Sequence, residues 1–110
     1  MPAALEVTAL LRQTQSNGGF GMVLHKGDAD SGAILVVAVD REGLGTLYER
    51  LPDPDFPERR PGRWQQVRAQ NPAERQAFDD YLDRRVQRDP DLWIIELTIA
   101  DVERSILNPA

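Results

Sequence analysis

His25, Lys26 and Asp28 fall within one short stretch, and they are of the types that move protons or activate a nucleophile. Imidazole has a reference pKa near 6.5, so a histidine here suits general-base work. Lys26 and His25 are the single lysine and the single histidine of the chain. No serine, cysteine or carboxylate stands at a spacing that would complete a triad with His25. One histidine also leaves a metal-ligand set short of members. A cleft beside Lys26, Asp28 and His25 defines one functional reading, a small hydrolase or transferase.

Neighbouring patterns exclude more than they support. Asp28-Ala29-Asp30 has the start of a calcium loop, but its sixth and twelfth positions are Ala33 and Val39 instead of glycine and glutamate. A polar turn accounts for it. Gly18-Gly19-Phe20-Gly21 follows a helical stretch, whereas a phosphate-cradling loop must follow a strand and open a helix. Asp79, Asp80, Asp83, Asp89 and Asp91 fall on a helix face and a proline turn, where water keeps carboxylates ordinary.

Trp93 and Glu96 form a sharper pair. A carboxylate inside an apolar strand needs a partner or water, and Arg84, Arg85 or Arg88 lies within reach of such a role. With Tyr48 on the third strand, the expected binding set is Lys26, Asp28, Tyr48, Arg88, Trp93 and Glu96. No catalytic residue is assigned, and neither a metal nor another cofactor is expected.

Composition sets the outer bounds. The chain has 110 residues, the size of one domain, with a formal charge of −5 and no cysteine. Disulfides, thiolate metal sites and cysteine nucleophiles are excluded. Twelve of the thirteen basic residues are arginine. A local patch at Arg59, Arg60 and Arg63 is the one feature pointing to RNA, and the overall acidity opposes it, so nucleic acid is not an expected partner. The opening residues lack a basic, apolar leader pattern, and the apolar run Ala33–Val39 is too short to cross a membrane.

The positioning elements follow from periodicity. Val7, Leu10, Leu11 and Thr14 give residues 5–15 helical spacing, although Leu5, Val7 and Ala9 also alternate as a short strand would. Phe20–His25 alternates as a strand. Ala33–Val39 is apolar on both faces, which marks a central strand, and the short glycine-punctuated link makes a hairpin between these two natural. Thr46–Leu51 and Arg63–Arg68 read as further strands, the second anchored by Trp64. Pro52, Pro54, Pro57 and Pro61 make residues 52–62 a loop. Asn71-Pro72-Ala73-Glu74 starts a helix, with Ala77, Phe78, Tyr81, Leu82 and Val86 as its apolar stripe. Leu92–Ile99 is the last strand, and Asp101 is placed to cap a short turn that Asn108-Pro109 stops.

Gly18-Gly19-Phe20 through Lys26-Gly27-Asp28, Ser31 through Val37, Leu47-Tyr48-Glu49-Arg50 and, most specifically, Arg88-Asp89-Pro90-Asp91-Leu92-Trp93-Ile94-Ile95-Glu96-Leu97 carry a family pattern. Over residues 5–99 the chain resembles the alphaproteobacterial domain-of-unknown-function family numbered 1491. The resemblance implies a bacterial, cytoplasmic, stand-alone domain. It brings no activity and no site residues.

The expectation is therefore one α+β domain over residues 1–110. Its order is α-β-β-β-β-α-β: a two-layer fold with a mainly antiparallel sheet of about five strands and two helices on one face. The expected role is a non-catalytic interaction or ligand-binding protein of the cytoplasm. Its partner would be a protein or small molecule, and it would pair as a homodimer to cover the other sheet face.

Overall fold

The computed structural model describes residues 1–59 and 62–108. Arg60 and Pro61 of the proline-rich loop, and Pro109 of the closing stop, lie outside the described residues. Helix α1 spans Ala3–Ser16, strands β1 Phe20–His25, β2 Ile34–Val39, β3 Gly45–Leu51 and β4 Arg63–Ala69 follow, then helix α2 Arg75–Arg88, strand β5 Trp93–Thr98 and a closing turn Glu103–Leu107. The α+β class, the element order and the five-stranded, mainly antiparallel sheet are those read from the sequence. Helix, and not strand, opens the chain.

The sheet order is β1-β5-β2-β3-β4. β1 pairs antiparallel with β5, β5 runs parallel to β2, and β3 and β4 continue as an antiparallel meander. This corrects the expected β1–β2 hairpin. Residues 26–33 cross the start of β5 instead, a step of two strand spacings, or roughly 10 Å, that eight extended residues easily span. The reason lies in burial. Leu35, Val36, Ile95 and Leu97 are fully enclosed, so both β2 and β5 need neighbours and covers on every side. A β1–β2 hairpin would have pushed one of them outward.

The helices divide between the sheet faces. Ala3, Val7 and Leu10 of α1 pack with Val36, Tyr48, Trp64, Ile95, Leu97, Ile106 and Leu107 on one face. Phe78 and Leu82 of α2 pack with Leu35, Val37, Leu47, Leu92 and Ile94 on the other. Each such buried aliphatic or aromatic side chain contributes about 2 kcal/mol of transfer free energy. Placing both helices on one face, as expected, would leave one of these two apolar layers in water. Two ion pairs fasten the layers through adjacent residues of β3. Arg50 forks onto Glu6 of α1 and lies over the Trp64 ring at 4.7 Å. Glu49 accepts from Arg85 of α2 at 2.5 Å, and Arg85 also donates to the Tyr81 hydroxyl at 3.2 Å.

Among the described residues no helix is long and apolar enough to cross a membrane.

Candidate functional site

Parallel strands leave a natural crevice where their carboxyl ends hand over to loops that turn apart. β2 and β5 are this sheet's parallel pair, and such a crevice lies at their carboxyl ends. Its volume is about 450 Å³. From β2 the chain turns into β3 through Asp40–Leu44. The Asp40 carboxylate orders that turn by accepting from the Glu42 and Leu44 amides, both at 2.9 Å. From β5 the chain bends the other way through Ile99–Glu103 into the closing turn. Asp101 holds a left-handed backbone, φ 51°, which aspartate tolerates better than most side chains. Ser105 donates to the Ala100 carbonyl at 3.1 Å and fixes the bend.

The crevice has an apolar floor and a polar mouth. Ala38, Val39, Ile99 and Val102 line the floor, Thr46, Thr98 and Tyr48 supply hydroxyls, and Asp40, Glu42, Asp101 and Glu103 outnumber Arg41 at the rim. Burial raises the Tyr48 pKa above its ordinary value, and the nearby Glu103 carboxylate pushes it the same way. The phenol therefore stays protonated at neutral pH and is hydrogen-bonded to the Glu103 carboxylate. The arrangement suits a small molecule with an apolar body and a cationic or donor-rich end.

The other expected site residues lie away from this crevice, apart from Tyr48. Lys26 is exposed just after β1. Asp28 and Trp93 are brought together at the start of β5, where Trp93 Nε1 donates to the Asp28 carbonyl at 2.7 Å. The Asp28 carboxylate accepts from the Ser31 amide and hydroxyl and from the Asp30 amide at 2.8 to 3.0 Å. The Ser31 bonds, helped by the Asp30 amide, hold its pKa below the usual carboxylate range. His25 Nδ1 lies 2.8 Å from the Leu92 carbonyl. Trp93 points into the α1 face while Glu96, half-buried, sits on the opposite face of β5. Arg88 ends α2, exposed. Arg85 pairs with Glu49 and not with Glu96. Arg68 lies over the Tyr81 ring at 4.8 Å, so it packs against α2.

The loop of residues 26–32 is a buckle. Asp28 N donates to Asp91 O at 2.8 Å, and the loop carbonyls of Asp30 and Ala29 accept the first free amides of α1, from Ala3 and Ala4. That explains a helix that begins without a side-chain cap. Gly27 has no room for a side chain, since a Cβ there would sit 2.1 Å from the Asp91 carbonyl.

Thr46, Thr98, Asp40, Arg41, Asp101 and Glu103 escaped the sequence reading as site residues. Their only local signal was turn chemistry, and the parallel pairing that gathers them is non-local.

A family model described as a protein of unknown function, DUF1491, matches residues 1–107. The chain belongs to the DUF1491 family. A crystal structure of a DUF1491 protein from Caulobacter crescentus CB15 is 35% identical, with a TM-score of 0.73 over 92% of this chain and 90% of that one. The solution structure of protein Atu0922 from A. tumefaciens is 28% identical, with a TM-score of 0.74 over 96% and 92%. An NMR structure of a C. crescentus DUF1491 protein is 34% identical, with a TM-score of 0.73 over 98% and 93%. No curated protein matches the chain. The segments that carry the DUF1491 resemblance now have architectural roles: Leu47-Tyr48-Glu49-Arg50 ties both helices to the sheet, and Lys26-Gly27-Asp28 with Asp91-Leu92-Trp93 closes the buckle.

Proposed function

We propose that this DUF1491 protein is a single-domain, non-catalytic binding protein of the bacterial cytoplasm. Its ligand is a small molecule with a cationic end, held in the crevice at the carboxyl ends of β2 and β5. The observation that carries this reading is the crevice itself, with an apolar floor, three hydroxyls and an acidic rim in one place. Among the described residues its lining contains no histidine, lysine, serine or cysteine, so the side chains present suit holding a ligand better than attacking one. The alternative is a small hydrolase or transferase at Lys26, Asp28 and His25. It draws less support, because the Asp28 carboxylate and the His25 ring are both engaged in holding backbone. Of the remaining expected binding residues, Arg88 and Glu96 are kept as outlying contacts for a larger partner. The reading includes a homodimer.

The test is titration of the isotope-labelled protein with a panel of primary amines and guanidines. The expected result is amide shift changes confined to residues 38–48 and 98–103, with weaker binding in Tyr48→Phe and Asp101→Asn. Changes centred on residues 25–32, or none with any amine, would overturn it.

A further inference from the structure

We propose that the strip of β1 and β5 beside α2 is a docking groove for an amphipathic helix of a partner protein, one with basic residues along the edges of its apolar stripe. This rests on the reading of Glu96 as a contact for a larger partner, and it is independent of the small-molecule crevice.

A five-stranded sheet is about 19 Å wide over its four strand spacings, and a helix with its side chains is about 10 Å across. One helix therefore covers half of a face. On the α1 face, Ile106 and Leu107 of the closing turn extend the cover. On the other face, α2 is the only helix in the core among the described residues. It lies toward β4. Arg68 of β4 sits over the Tyr81 ring, Arg85 pairs with Glu49 of β3, and a Cβ on Gly45 of β3 would meet the Phe78 ring at 3.4 Å.

The strip left open is apolar. Ile94 belongs to the α2-side core, so Glu96, two residues on, shares its face. Opposed residues of an antiparallel ladder share a face too, which adds Met22 opposite Glu96 and Phe20 opposite Thr98. Leu24 and His25, at the irregularity in the β1–β5 register, both line a cleft of about 460 Å³ against Leu82, Val86 and Ile94. Phe20, Met22 and Leu24 are 60%, 42% and 45% exposed.

Charge selects the occupant. Asp79 and Asp83, one turn apart on α2, form the wall of that cleft, and its lining has no arginine or lysine among the described residues. Neither these two carboxylates nor Glu96 has an ion pair among the described residues, whereas Glu6 and Glu49 each hold an arginine. His25 adds a further acceptor. Its Nδ1 must donate to the Leu92 carbonyl, 2.8 Å away, which leaves the lone pair of the neutral ring on Nε2. A second copy, a nucleic acid or an anionic membrane would bring negative charge to this border, and the chain's −5 adds to the repulsion. A basic partner is attracted. The open strip is one helix wide, and its apolar groups stand on a sheet face, which suits a helix with anchors at i, i+4 and i+7.

The test is titration of the isotope-labelled full chain with a synthetic helical peptide, leucine at i, i+4 and i+7 and lysine beside each. The expected result is saturable amide shift changes at residues 20–25, 79–87 and 94–96. Phe20→Ser and Met22→Ser should each weaken binding about tenfold. Asp79→Asn combined with Asp83→Asn should weaken it about threefold, and by less at high salt. Leu5→Ser, on the exposed side of α1, should leave it unchanged. Unchanged spectra would overturn the proposal. So would equal binding by a peptide of scrambled periodicity or by one with glutamate for lysine, or shifts at residues 38–48 and 98–103 instead. Shifts at residues 20–25 that follow the protein's own concentration without peptide would assign the strip to a second copy and overturn it as well. The ligand crevice is read out at other residues, so its test stands or falls separately.

Discussion

Tyr48 shows how one side chain serves two ends. Its ring packs in the α1-side core while its hydroxyl faces the crevice beside Glu103. Burial and that carboxylate raise its folded pKa above the unfolded value of 10.0. A raised pKa means the contribution to stability is complete below about pH 10 and is lost as pH rises through the folded pKa. The urea midpoint of the native chain should therefore fall on the alkaline side of about pH 10, and Tyr48→Phe should flatten that fall. Equal alkaline slopes for the two proteins would refute a buried, neutral phenol.

Elements differ in how they are started. α2 is led in by a tight turn, Pro72–Glu74, where Asn71 accepts from the Ala73 amide at 2.9 Å and proline occupies a position whose donor would be free anyway. Asn71→Ala should lower stability by about 1 kcal/mol, measured as a shift in denaturation midpoint at unchanged slope. No shift would mean that the carbonyl of residue 71, which accepts from Glu74 N at 2.9 Å, carries the start alone. α1 needs no such side chain because the 26–32 loop supplies carbonyls to its first turn. The same loop is why β1 and β2 are close in sequence yet separated by β5.

Across the whole molecule, β5 is both last in sequence and interior in the sheet. It is the strand partner of β1 and completes the burial of β2, so two of the sheet's four strand pairings wait on it. A fragment of residues 1–88 should lack dispersed amide resonances and melt without a cooperative transition. A hairpin layout would instead have preserved a folded β1–β2–β3 unit. Circular dichroism on heating separates the two, and a cooperative melt of the fragment would contradict the observed topology. The division of helices also settles where apolar surface is left. With one helix per face, neither face is bare, and the exposed apolar groups concentrate on the β1 edge.

Period and punctuation in the chain were enough to locate the helices and strands. Helical spacing of Val7, Leu10 and Thr14, alternation in Phe20–His25, the doubly apolar Ala33–Val39 and the Asn71-Pro72 start are local facts of propensity and burial pattern, and the elements formed close to where they put them, α2 itself starting at Arg75 after the tight turn Pro72–Glu74. Leu92–Leu97 carries Glu96 on one face, so its interior place between β1 and β2 was not legible from its own pattern. Strand order depends on contacts between residues far apart in sequence, and several pairings bury the same side chains almost equally well until loops and helices are docked. The 26–32 buckle, the division of α1 and α2 between faces, and the parallel β2–β5 pair are decisions of that kind. The crevice follows from the last of them: Asp40, Tyr48, Thr98 and Asp101 have nothing in common along the chain, and only the side-by-side carboxyl ends of two strands bring them to one place.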